Sequence, residues 1–248
     1  MLKTIRNAIK ESSFSSEIMR EFLIMLDDSR KMLRYALKIL SRPDRDVECE
    51  TIHKKIYLKD KTINMMERTI RRRVLVHLST HHEGNLSACL AFISTAKDAE
   101  RLGDYVKDFF DLRALATKTS GNTSLYRKLF QTIGNKLLAL FDTVIQAVQN
   151  TDVDAALEAM HAEKDISEQC ERLIEEVASS DYSPSKTVVI ALGARYMKRL
   201  ACHLSNIVSS VVNPLTDIDF APMKIDINQH FNPQVQKTLT PEQKESTK

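Results

Sequence analysis

Apolar residues recur at helical spacing along almost the whole chain, and the interruptions between these stretches are short and polar. That is how an antiparallel array of helices reads. Six long helices are predicted, at about residues 16–40, 46–77, 86–116, 124–150, 153–179 and 185–212. In the second, Ile56, Ile63 and Ile70 step by seven and mark a stripe bound for the core. Ser16 reads as the N-cap of the first helix, Arg42-Pro43-Asp44 as its stop, and Asp152 as the cap of the fifth. Polar breaks follow at 79–85, 118–123 and 180–184.

Two triplets of similar length predict an all-α fold of two tandem three-helix bundles, six long antiparallel helices in an internal repeat. The expected layout is an N-terminal extension over 1–13, a first bundle over 14–119, a second over 120–212 and a tail over 213–248. The tail carries Pro214, Pro222, Pro233 and Pro241 and loses periodicity, so it reads as extended or disordered.

Composition narrows the function classes. With 5 Gly and 6 Pro in 248 residues, the chain lacks the turn-formers an all-β fold needs. Its 36 basic residues nearly balance 33 acidic ones, and the formal charge of +3 is spread out, which argues against a nucleic-acid binder. The dense run Arg71-Arg72-Arg73 reads as a solvated helix face, with a phosphate or acidic-partner contact as the competing reading. No stretch approaches the roughly 20 apolar residues of a membrane helix, and the start lacks a secretory apolar core, so a cytoplasmic location is expected. Leu2, Ile5, Ala8 and Ile9 with Lys3, Arg6 and Lys10 could form a short basic amphipathic turn at a membrane surface, or fray against the bundle. Cys49, Cys89, Cys170 and Cys202 are scattered and read as reduced thiols. Neither a nucleophile arrangement nor a Gly-rich phosphate loop occurs, so no enzyme activity is expected.

One constellation carries chemical information. Glu100 and Asp104 lie four residues apart on one helix face, a mildly repulsive spacing, with Gly103 between them. On the preceding helix His53, Asp60 and Glu67 step by seven, with Asn64 between the last two. Folding the two helices as an antiparallel hairpin about His82 sets Asp60 level with Asp104 and Asn64 level with Glu100. Such an oxygen-rich cluster repels itself unless a cation or protons neutralise it. The candidate ligands Asp60, Asn64, Glu100 and Asp104 would suit Mg, Mn, Fe or Zn. The competing reading is a solvated face with salt bridges to Arg101, Lys61 or Lys107. In the second triplet the same construction sets Asp165 level with Cys202 and Gln169 level with Lys198, so a lysine stands where the first triplet has Glu100. Asp98, Asp165, Gln169 and His203 are further candidate ligands, although His203, beside Lys198 and Cys202, also reads as a hydrogen-bonded histidine at the core edge.

At this point the residues resemble a known family. Glu100-Arg101-Leu102-Gly103-Asp104 is similar to the E-R-[IL]-G-D signature of the PhoU family, and Asp60-Lys61-Thr62-Ile63-Asn64 resembles a segment of that family's second helix. Ala194-Arg195-Tyr196 through Leu200, His203, Asn206 and Ile207 is similar to its A-R-Y-L-E-R-I-A-D-H-x-x-N-I, with Lys198 for Glu and Cys202 for Asp. The resemblance spans about residues 14–212, with the second repeat degenerate. It implies a non-enzymatic cytoplasmic regulator of phosphate uptake and signalling that carries metal clusters on E/D-x-x-x-D motifs, the first repeat ahead of the second. The implied partners are a phosphate transporter, either ATP-driven or sodium-coupled, and a phosphate-sensing histidine kinase, met at the inner face of the membrane; a homodimer also fits. Two alternatives stay open: a helical-bundle di-metal enzyme or storage protein, for which Glu50 to His53 has the Glu-x-x-His spacing, and a partner-binding bundle without metal.

Overall fold

Each long helix carries an apolar stripe, and burying those stripes against one another dictates the architecture. The computed structural model describes residues 13–41, 46–80, 86–116, 124–213 and 217–219. Among them there is no strand. Helices α1 (Ser13–Leu40), α2 (Asp46–Thr80) and α3 (Leu86–Asp111) are followed by the single turns α4 (Arg113–Ala116) and α5 (Ser124–Arg127). A π-helical turn, Lys128–Ile133, leads into α6 (Gly134–Asn150), α7 (Val153–Ala178) and α8 (Pro184–Val212).

Helices α1, α2 and α3 pack pairwise into one three-helix bundle, and α6, α7 and α8 pack pairwise into another. The stripe Ile56, Ile63 and Ile70 is fully buried, as are Phe109 and Phe141 deeper in the two bundles. Each such side chain contributes about 2–3 kcal/mol. All four cysteines are free.

Local details refine the expected elements. Helix α1 starts at Ser13 rather than being capped at Ser16, because the apolar stripe runs on to Phe14, whose ring stacks on His77 of α2 with centroids 4.0 Å apart. The third helix breaks at Leu112, whose N–H reaches back three residues to the Phe109 carbonyl, before α4 resumes. The fourth stretch is helical throughout, but with a wider π turn between two anchors to the end of α1. The Tyr126 hydroxyl donates to the Leu40 carbonyl at 2.6 Å, and Gly134 lies so close to α1 that a Cβ there would stand 2.6 Å from Leu37 Cδ2. Asp152 caps α7 as expected, accepting from the Ala155 N–H at 3.1 Å. The start of the tail folds back instead of extending: Ile218 is buried, and the Asp219 N–H donates to Ser209 Oγ at 2.8 Å. The extension before residue 13, the stop Arg42-Pro43-Asp44, the loop histidines His81 and His82, the break at 118–123 and the four tail prolines lie outside the described residues.

Helix α3 joins the bundles by packing on α8, and α1 adds a second seam against α6. The α3–α8 pair runs antiparallel, with Asp98 meeting His203 at one end and Phe109 beside Gly193 at the other. Asp98 is 6% exposed, a depth at which a carboxylate needs donors from the protein. His203 Nδ1 lies 2.6 Å from its Oδ1, and Asn206 Nδ2 donates to the same oxygen at 3.3 Å. With Asp98 ionised, Nδ1 carries the shared proton. Counting from Glu100 and Lys198, the matching positions of the two repeats, Asp98 corresponds to Tyr196 and His203 to Tyr105. Tyr105 and Tyr196 are themselves 6.2 Å apart between centroids, so one cross-helix contact is made twice, once polar and once aromatic.

Two stability measurements test this description. Thr151, a β-branched residue, ends α6 in the left-handed region at φ 54. Thr151→Gly is expected to stabilise the protein by about 1 kcal/mol, read as a higher urea midpoint. His203→Ala leaves the Asp98 carboxylate buried with Asn206 alone and is expected to cost about 3–5 kcal/mol. Asp98→Asn, which removes the charge but keeps a polar group, should cost roughly half as much in the same titration. Equal, negligible losses in both variants would contradict the joint.

Candidate functional site

The acidic cluster forms where α2 and α3 come closest. Gly103 makes that approach, since a Cβ at its position would lie 3.2 Å from Ile63 Cδ1 and 3.7 Å from Asp60 Oδ1. The mid-helix glycine, which costs about 1 kcal/mol in propensity, is accounted for by the neighbouring helix. Around it Asp60 and Glu67 are buried, and Asn64, Glu100 and Asp104 are half-buried.

Basic side chains interleave with these acids. Lys107 Nζ lies 3.2 Å from Asp60 Oδ2 and 3.2 Å from Asp104 Oδ1, joining the two helices through a single ammonium. Arg101 donates to Asp104 at 3.3 Å, and its Nε stands 3.9 Å from Glu100. Arg71 pairs with Glu67 at 2.6 Å. Asp60 and Asp104 therefore meet as the hairpin register requires, but through Lys107. Burial pushes the Glu100 carboxyl above its ordinary value, and the charges of Asp104, Glu67 and Asp60 add to that against the pull of Arg101. Burial also works against the Lys107 ammonium, yet its hydrogen bonds and charge pairing with Asp60 and Asp104 outweigh it and raise its pKa. Lys107 thus stays charged across the neutral range.

The metal expectation can be tested on this geometry. Among the described residues, no three His, Cys, Asp or Glu side chains stand together so as to hold a metal ion. The ammonium of Lys107 lies between the two aspartates that a bridging cation would share. Asn64 brings no charge. Asp60 Oδ1 and Asn64 Oδ1 are buried without a hydrogen-bond partner, but the former is packed towards Gly103 and not into open space. The residues present do not fit a resident metal cluster.

The remaining candidates are dispersed. Asp165 turns to α6, where Lys136 donates to it at 2.7 Å; that bond and one with Gln169 hold its carboxyl below the usual range. The groups that meet α8 are instead Glu163, which accepts from the Cys202 thiol at 3.5 Å and from Ser167 at 2.6 Å, and Glu171, which pairs with Lys198. Burial, then the charge of Glu163, pushes the Cys202 thiol up, and burial takes Cys170 to about 12, so neither offers a thiolate near neutral pH. Beside them a cavity of about 310 Å³ is lined by residues including His161, Glu163, Lys164, Cys202 and Asp219. Asp98 and His203 belong to the joint between the bundles. Sequence reasoning placed Lys107 only as one of three salt-bridge partners, named Asn206 only as a motif residue and missed Glu163. Lys107 was legible, because it stands three residues beyond Asp104 on the same helix face.

Comparison with known proteins agrees with this geometry. Residues 22–112, the span from within α1 to the end of α3, match the family model of the PhoU domain. Among solved structures, PhoU from Pseudomonas aeruginosa superposes with a TM-score of 0.72 at 19% identity, over 81% of this chain and 96% of that one. The phosphate transport system regulatory protein PhoU from Streptococcus pneumoniae gives 0.71 at 17% identity, over 84% of this chain and 97% of that one. A comparison with curated proteins finds no match. The family match stops at the first bundle, while the shared fold runs on into the second. Residues 22–112 thus match the PhoU domain, within a fold that the chain shares with PhoU structures across both bundles.

Proposed function

We propose that this chain is a non-enzymatic cytoplasmic regulator of phosphate uptake and phosphate signalling. It docks as an adaptor on a phosphate transporter or on the associated phosphate-sensing histidine kinase, and it represses uptake when phosphate is plentiful. The observation that carries this reading is the PhoU domain at residues 22–112 within a fold shared almost end to end with a phosphate transport regulator. The surface supports a binding role. Along the outer face of α2 the side chains of Leu58, Met65, Leu75 and Val76 are exposed, interleaved with exposed Lys61, Arg68 and Arg72, and an apolar patch among charges suits a protein partner. None of the described helices is long and apolar enough to cross a membrane. The di-metal enzyme alternative finds no support at the Glu50–His53 spacing. Glu50 pairs with Lys54 at 2.9 Å, while His53 stacks near Phe110 at 6.1 Å between centroids.

The test is affinity capture of the tagged protein from gently solubilised membranes of its own organism, grown in high and in low phosphate. A phosphate-transporter ATPase, a sodium-coupled phosphate carrier or a sensor kinase enriched in high phosphate is the expected result. Recovery of none of them in either condition would overturn the adaptor reading.

A further inference from the structure

We infer that Lys107 is the resident cation of the first acidic cluster, so that the chain holds by a covalently attached ammonium what its family resemblance assigns to bound metal. Asp60, Glu67, Glu100 and Asp104 bring four carboxylates to the α2–α3 contact, where burial weakens solvent screening. Three basic side chains answer them: Lys107 serves Asp60 and Asp104 at 3.2 Å each, Arg101 serves Asp104 and stands 3.9 Å from Glu100, and Arg71 serves Glu67. A divalent ion added to this set would have to displace the Lys107 ammonium or sit beside it, and like charges at that range repel. Asn64, level with Glu100, has already lost the charge that a further cation would need.

Position makes Lys107 suited to the task. It stands one turn beyond Asp104 on α3, so its stem runs along the helix and its ammonium reaches across to α2. Its side chain is 23% exposed and that of Asp60 12%, which places the bridge at the edge of the core. The second bundle follows the same logic at a matching place. Lys198 occupies the position corresponding to Glu100 and pairs with Glu171 across α7 and α8, and Cys202, in place of an acid, hydrogen-bonds Glu163. Both repeats have thus brought a lysine into the region where the motif calls for a metal.

The experiment is metal analysis and thermal unfolding of the full chain, purified without added metal, for the wild type, Lys107→Met, Lys107→Gln and Lys107→Arg. The wild type is expected to carry far less than one metal per chain, with a Tm unmoved by EDTA, Mn or Zn. Lys107→Met should unfold roughly 3–6 °C lower, recover part of that loss when Mn or Zn is added, and be matched by Lys107→Gln. Lys107→Arg, which keeps the charge, should stay near the wild type and remain indifferent to metal. If Lys107→Met does not fold, the Lys107→Gln and wild-type measurements decide alone. Stoichiometric metal in the wild type, a wild-type Tm lowered by EDTA, neutral variants as stable as the wild type, or neutral variants that lose stability yet ignore added metal would each overturn the inference.

Discussion

A carboxylate as deeply buried as that of Asp98 must find donors inside the protein, and it finds them on the other bundle, in His203 and Asn206. This requirement adds a polar tie to the apolar packing of α3 on α8 and of α1 on α6 that makes a single body of two helical repeats. It fixes α3 against α8 in an antiparallel crossing, and the rest of α3 is then committed: Gly103 turns towards Ile63 and Asp60 on α2, and Phe109 lies beside Gly193 on α8. The helix that carries the acidic cluster is therefore also the helix that holds the bundles together. A change of charge at the cluster acts on an element whose position both bundles share.

How much of this was legible in the sequence depends on whether the cause was local. The stripe Ile56, Ile63 and Ile70, the Asp152 cap and the hairpin register bringing Asp60 to Asp104 follow from helical period and capping chemistry, which neighbouring residues determine. The bend at Leu112, the π turn at Lys128–Ile133 and the run of α1 past Ser16 answer to partners elsewhere in the chain, such as Leu37 and His77, and carry no local signal. The partner of Asp98 stands 105 residues away, so a motif reading could list Asp98 and His203 but could not join them. In the second bundle the register argument gave the correct helices but the wrong acids. Asp165 faces α6, leaving Glu163 and Glu171, each within two turns on the same helix, to meet α8.

The two competing readings of the cluster, ligand set and salt-bridged face, differ in what neutralises it. Spacing alone cannot separate them, because a carboxylate pair one turn apart repels itself in either case. Side-chain geometry separates them through the position of one ammonium. The internal ion pairs link α2 to α3 beneath an outer face of exposed Leu58, Met65, Leu75 and Val76.

The proposed function has the chain restrain phosphate uptake when phosphate is abundant. The most direct measurement is the rate of radiolabelled phosphate uptake by cells grown in phosphate-rich medium, with and without the gene for this chain, and with the gene restored. Uptake severalfold higher without the gene, and a return to the original rate on restoration, are the expected results. An uptake rate indifferent to the gene in rich and in poor medium would contradict it.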